Sequence, residues 1–193
     1  MARKYQLKQR AQRQEETRQR IIDAAVELHT TMGLAQATIS AVAERAGVER
    51  LTLYRHFPNE YELLVACSNH YLLTHPLPDP RPWRLIADPL ARLRQALVEV
   101  YAYYRSTEQR WVNIPLDEQS DFSAPYIERW RQMRAELAAG WEVSARKPPL
   151  LKAALGHALD FQTWYSLVRR QGLDDEQAID LIVGMVCCLV DGE

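Results

Sequence analysis

Two short amphipathic stretches meet at a glycine near the front of the chain, and they narrow the possible folds more than any other feature. Thr38-Ile-Ser-Ala-Val-Ala-Glu-Arg-Ala-Gly47-Val48 is followed at once by Glu49-Arg-Leu-Thr-Leu-Tyr-Arg-His-Phe57. Thr38 has the side chain of a helix N-cap, and Ile39, Val42, Ala43 and Ala46 then recur at helical spacing. Gly47 suits a tight turn, where a left-handed backbone carries no Cβ penalty. Ala43 suits a close crossing of two helices, and Val48 and Leu53 can plug the core between them. Pro58 stops the second helix, which runs from about Arg50 to His56. The pair is either a helix-turn-helix or an αα-hairpin inside a larger helical core.

Helical periodicity continues on both sides. Ile21, Ala25, Leu28 and Met32 share a stripe that Gly33 is placed to end. Asn59 caps a fourth helix with Leu63, Leu64, Cys67 and Tyr71 on its inner face. Four prolines between His75 and Pro82 exclude a regular helix there. A long helix follows from about Pro89, with Leu90, Leu93, Leu97, Val100, Tyr101 and Tyr104 on one side. A short helix over Glu108–Ile114 ends before Pro115, and another runs from about Ala124 to Ala139. Leu150–Arg170 and Asp174–Asp191 read as two closing helices separated by Gly172. Strand alternation is scarcely visible, so the expectation is an all-α fold of about nine helices.

A length of 193 residues suits one sizeable core, or a small module beside a larger one. Cys67, Cys187 and Cys188 have no zinc-ligand spacing and are too few for a disulfide scaffold. No run of 18 apolar residues suggests a membrane span, and the polar, basic start lacks the apolar stretch of a secretory signal. A reducing, cytoplasmic setting is the expectation. The net charge of −1 hides a division. Residues 1–20 hold seven basic groups against two acidic ones, residues 1–60 ten against seven, and residues 61–193 fourteen against eighteen. A basic stretch leading into a small module can steer a phosphate backbone, or it is simply a solvated terminus.

The stretch from Thr17 to about Leu64 resembles the TetR family of bacterial transcriptional regulators. The resemblance rests on Arg20-Ile-Ile-Asp-Ala-Ala-Val-Glu-Leu, Gly33, the Thr38–Val48 block, and Leu53-Tyr-Arg-His-Phe-Pro-Asn-Glu-Tyr-Glu-Leu-Leu64. It implies an N-terminal three-helix DNA-binding domain over residues 17–60, preceded by a basic flexible arm over 1–16. A linking helix and proline-rich connection (61–82) would lead to a larger ligand-binding and dimerisation domain (83–193). The implied protein is a homodimeric repressor that leaves double-stranded operator DNA when a small effector binds. Tyr54, His56 and Thr38 fall where the family contacts phosphate, and Arg50, Leu51 and Thr52 near its base-reading start. Arg55 is exposed beside them, and Arg3, Lys4, Lys8 and Arg10 are candidates to track the backbone or minor groove. Two departures stand out: Glu49 replaces a capping Ser or Thr, and Asn59 replaces a Lys.

All five tryptophans follow residue 80, in company with several tyrosines. They fit either core packing or a pocket for a hydrophobic or aromatic effector. The resemblance places such a pocket among the central helices, which selects Tyr101, Tyr104, Trp111, Trp130, Met133, Phe161 and Trp164. Asn113 is a hydrogen-bonding candidate there if it is buried. The last two helices offer Leu151, Leu155, Ala158, Leu181, Ile182, Met185 and Leu189 for pairing with a second copy, or for burial within one chain. An enzyme is the rival class. No nucleophile elbow, HExxH, Walker loop or dinucleotide glycine loop is present, and the acidic group Asp117, Glu118 and Asp121 has no histidine pattern to complete a metal site. Neither catalysis nor a cofactor is expected. A DNA-binding protein that ignores ligands is the second rival.

Overall fold

The computed structural model describes residues 2–116, 120–141 and 148–191, with side chains over 5–116, 120–141 and 148–190. Asp117, Glu118 and the side chains of Arg3 and Lys4 therefore lie outside the described residues. Nine α-helices and no strand occur among the described residues, in agreement with the all-α expectation. No described helix is long and apolar enough to cross a membrane. The chain divides into two compact units, one within Met1–Pro76 and Gln109–Ser123, the other within Leu77–Glu108 and Ala124–Glu193.

The first unit is organised on α1 (Ala2–Met32). No glycine or proline interrupts the sequence before Gly33, and Gln, Arg, Lys, Glu, Ala and Leu dominate its first half. These residues lose little side-chain freedom in a helix, so the stretch read as a basic arm is drawn into α1. The buried face runs through Ile21, Ile22, Ala24, Ala25 and Leu28 and ends on His29, whereas Met32 is exposed. The helices α2 (Ile39–Ala46), α3 (Arg50–His56) and α4 (Glu60–Thr74) complete the unit. Ile39, Val42, Ala43, Ala46, Leu53, Phe57, Leu63 and Cys67 share one core with the α1 stripe. Asn59 caps α4 by accepting the Glu62 N–H at 2.9 Å, and its amide returns a bond to the Glu62 carboxylate. Burial pushes the Cys67 thiol up to about 12, so it behaves as a small apolar group.

The second unit begins with a 3-10 turn (Arg81–Leu85) that buries Trp83, whose indole N–H donates to Glu99. The next helix, α5 (Pro89–Asn113), leaves helical geometry at Thr107 (φ −122°, ψ 19°). The Thr107 hydroxyl donates to the Tyr103 carbonyl four residues back, a bond that competes with the backbone ladder. That break is where the sequence separates a long helix from a short one, and the division between the units falls one residue later.

Arg92 is buried in the first turns of α5, without a carboxylate partner among the described residues. Its guanidinium donates to the Ile86 and Ala87 carbonyls on one side and to those of Glu136 and Ala139 on the other, at 2.6–3.4 Å. Glu136 lies in the last turn of α6 (Ala124–Leu137), so Arg92 closes orphan carbonyls at the end of that helix.

The closing helices differ from the sequence reading. A single helix over Leu150–Arg170 is instead split into α7 (Pro148–Ala158) and α8 (Phe161–Tyr165), the latter continuing into one π-helical turn (Ser166–Arg170). Three aromatic side chains cause the interruption. Tyr101 and Trp130 donate to the carbonyls of Ala158 and Leu159, and Tyr104 donates to Leu159 as well. Asp160 then caps α8 by accepting the Gln162 N–H at 2.6 Å. The final helix, α9 (Asp175–Asp191), follows Gly172 as expected.

Two buried polar groups have measurable consequences. Burial lowers the His29 pKa from 6.5 to about 4, and its Nδ1 has no hydrogen-bond partner among the described residues. Between those values the unfolded chain takes up a proton that the folded chain refuses, so stability falls as pH drops through that window. The loss reaches about 3 kcal/mol by its lower end, and denaturant titrations of H29L should lack it. Arg92→Met keeps the aliphatic stem but strands four carbonyls, and should cost about 3 kcal/mol in chemical denaturation. Arg92→Lys should recover little, because a point charge cannot span both carbonyl groups.

Candidate nucleic-acid interface

A seven-residue helix cannot hold itself together in water, so α3 exists because its neighbours place it. The placement starts at Thr38, whose hydroxyl oxygen accepts the Ala41 N–H at 3.2 Å and begins α2. Gly47 ends α2 with φ 66° and ψ 40°, the left-handed geometry that glycine adopts without strain. Its neighbour Val48 donates to the Ala43 carbonyl at 3.0 Å, and the chain turns directly into α3. Leu53 is the one fully buried residue of α3, with no measurable exposure. Arg50, Leu51, Tyr54 and Arg55 are exposed, while Thr52 and His56 are half-buried. Leu51 remains 60% exposed, an apolar side chain that the fold does not use.

Glu49 stands at the N-cap of α3 and makes no side-chain capping bond. Phe57 closes the helix from below, buried, with the Arg18 guanidinium 4.4 Å from its ring centre. The sequence reading did not single out Arg13 or Arg18. Both line a groove with Arg10 on α1 and with Thr52, Arg55 and His56 on α3. The signal that finds them is helical spacing through residues 6–18, visible only once that stretch is taken as helix.

Ion pairs engage some cations of each unit and not others. In the second unit Arg81, Arg84, Arg94, Arg105, Arg129, Arg131 and Arg169 each pair with a carboxylate. In the first unit Arg45 pairs with Glu27 and His70 lies beside Asp23. No ion pair among the described residues involves Lys8, Arg10, Arg13, Arg50 or Arg55. These cations are available to an external anion.

The residues selected for an effector fall in two places. Trp111 and Asn113 belong to the first unit, where the Asn113 amide donates to the Thr30 and Thr31 carbonyls at the end of α1. Tyr101, Tyr104, Trp130, Met133, Phe161 and Trp164 belong to the second and are buried. Tyr104 sits at the middle of that cluster, 5.3 Å from Phe161 edge to face, 6.0 Å from Trp164 and 6.1 Å from Trp130. Burial drives the hydroxyls of Tyr101 and Tyr104 well above their ordinary pKa, so both stay protonated donors. Trp164 donates to Asp175 at 3.0 Å.

The residues selected for pairing also separate. Leu151, Leu155, Ala158 and Ile182 are buried within this chain, Leu189 is half-buried, and Leu181 and Met185 are 44% and 58% exposed. Asp121 accepts a hydrogen bond from Tyr61. No cluster of three His, Cys, Asp or Glu suited to a metal occurs among the described residues.

Residues 21–67 match the family model for bacterial regulatory proteins of the tetR family. The chain is similar to the HTH-type transcriptional regulator SrpR of Pseudomonas putida, with 50% identity over 52 residues that cover 27% of this chain and 24% of that one. It is similar also to the HTH-type transcriptional regulator TtgR of a Pseudomonas putida strain, at 36% identity over 88 residues, 45% of this chain and 42% of that one. These matches span less than half the length of either relative. Across nearly the whole chain the fold resembles the crystal structure of a TetR-like transcriptional regulator from Rhodococcus sp. RHA1. That likeness has a TM-score of 0.63 at 19% identity and covers 92% of this chain and 97% of the other.

Glu49→Ser supplies the missing acceptor and removes a negative charge from the face that carries Arg50. Thermal unfolding should show a gain of about 0.5–1 kcal/mol, and affinity for duplex DNA should rise rather than fall.

Proposed function

We propose that this chain, whose residues 21–67 match the model for bacterial regulatory proteins of the tetR family, is a sequence-specific DNA-binding transcriptional regulator. It acts as a homodimeric repressor that a small hydrophobic or aromatic effector releases from operator DNA. The observation that carries this reading is α3 itself, held by Leu53 and Phe57 with Arg50, Leu51, Tyr54 and Arg55 exposed beside unpaired cations. A major groove admits one helix, and Arg50 at the start of α3 reads a base edge there. Tyr54, His56 and the Thr38 end of α2 contact phosphates, while Leu51 suits the methyl group of a thymine.

The exposed stripe of Leu181 and Met185 on α9 supports pairing with a second copy, with Leu151, Leu155, Ala158 and Ile182 forming the support beneath it. Two copies related by a twofold axis present two α3 helices to successive major grooves, about 34–36 Å apart. The buried rings around Tyr104 supply the apolar surface for an effector. An incoming polar group must compete for the carbonyls of Ala158 and Leu159, which Tyr101, Tyr104 and Trp130 now occupy. Release requires only that the effector bind the DNA-free state more tightly than the DNA-bound one.

Selection from a pool of random duplexes tests the reading, and a recovered palindromic sequence is the expected result. On that duplex Arg50→Ala should cost about 1–3 kcal/mol and relax the preference at one base pair of each half-site. Recovery of no preferred sequence would reject operator recognition. Failure of hydrophobic and aromatic compounds to release the duplex would leave a regulator without effector control.

A further inference from the structure

The groove beside α3 contains more cationic surface than a recognition helix alone provides. Gln6, Gln9, Arg10, Arg13, Gln14 and Thr17 are spaced three and four apart along α1 and line one wall. Thr52, Arg55 and His56, with the same spacing on α3, line the other. The groove has a volume of about 850 Å³, and Glu15 is its one acidic lining residue. Its α1 wall from residue 6 to residue 18 is about 18 Å long, at 1.5 Å per residue. A single small anion cannot fill that length, whereas a phosphodiester strand can.

Three observations point to an external partner. Residues 5–16 are all exposed, so this part of α1 has no apolar face buried on the protein, and such helices are marginal without a partner. Neither Arg10 nor Arg13 is neutralised by a carboxylate among the described residues. At the inner end of the wall, the Arg18 guanidinium lies on Phe57 and its enclosed Nη1 has no acceptor among the described residues. These cations precede the residues that match the family model, so the helix-turn-helix motif does not account for them.

We propose that the first turns of α1 form, with the Arg55–His56 end of α3, a cleft that grips the phosphate backbone of duplex DNA beyond the bases that α3 reads. The inference rests on the DNA-binding reading above and extends it. Guanidinium and amide groups from α1 face one strand, and Arg55 and His56 approach the same strand from the recognition helix. Such contacts carry no sequence information; they lengthen the footprint, raise affinity for any duplex and steepen its dependence on salt.

The test compares the full chain with Arg10→Gln/Arg13→Gln and Arg10→Lys/Arg13→Lys. Binding to a labelled random-sequence duplex is followed by fluorescence anisotropy from about 50 to about 200 mM salt. Loss of two phosphate contacts lowers the log–log slope by about 2 per bound protomer, so the Gln variant weakens about tenfold less across that range than the parent. The Lys variant, which keeps both charges, should retain the parent slope. A Gln variant with the parent slope overturns the cleft while leaving operator reading intact, which Arg50→Ala on the selected duplex reports separately. A parent chain that binds no duplex at all overturns the DNA-binding reading, and the cleft with it.

Discussion

Leu53 in the core of the first unit is the contact on which the interface depends. It is the one fully buried side chain of a seven-residue helix that has no capping bond at its start. With so little of its own to hold it, α3 takes its orientation from the floor beneath, where Ala43, Val42 and the Ile21–Leu28 stripe of α1 pack closely. Interiors at this density do not deform smoothly, so a change in that floor reorients every exposed side chain of α3 together. Affinity for a partner is then sensitive to substitutions that never meet it.

Local chemistry was legible in the sequence, and distant chemistry was not. Thr38, Gly47 and Asn59 signal their roles within four residues, through a cap, a left-handed turn and a second cap. The split between α7 and α8 gave no such sign, because its cause lies in donors from Tyr101, Tyr104 and Trp130, up to 57 residues away. Asn113 reads from the sequence as a hydrogen-bonding candidate for an effector, yet nothing in its neighbourhood points to the carbonyls of Thr30 and Thr31. The cation at Arg13 was hidden for the opposite reason. Reading residues 1–16 as a loose arm removed the helical frame in which Gln6, Arg10, Arg13 and Thr17 share a face. On α9 the apolar pattern is broad enough for two stripes, and only the packing separates buried Ile182 from exposed Leu181 and Met185.

The charge count takes on a physical meaning once the partners are known. Paired arginines in the second unit contribute little long-range field, since each is cancelled within a few ångströms. The unpaired cations of the first unit are not cancelled, and they sit on the surface where they can reach a Debye length into solvent. A chain that is almost neutral in sum therefore still carries a local excess of uncancelled cations on α1 and α3. Formal totals understate its attraction to polyanions.

The first unit draws on two separate pieces of sequence, and the second piece includes the Asn113 amide that closes α1. A recombination event or an engineered chimera that joins a foreign head at residue 76 brings only one of those pieces. The remaining Gln109–Ser123 segment would then meet a surface it was not selected with, and α1 would end on bare carbonyls. Heads of this kind are exchangeable only as matched pairs of segments. Inheritance of the helix-turn-helix unit is thus tied to a stretch of the chain that lies outside the helix-turn-helix itself.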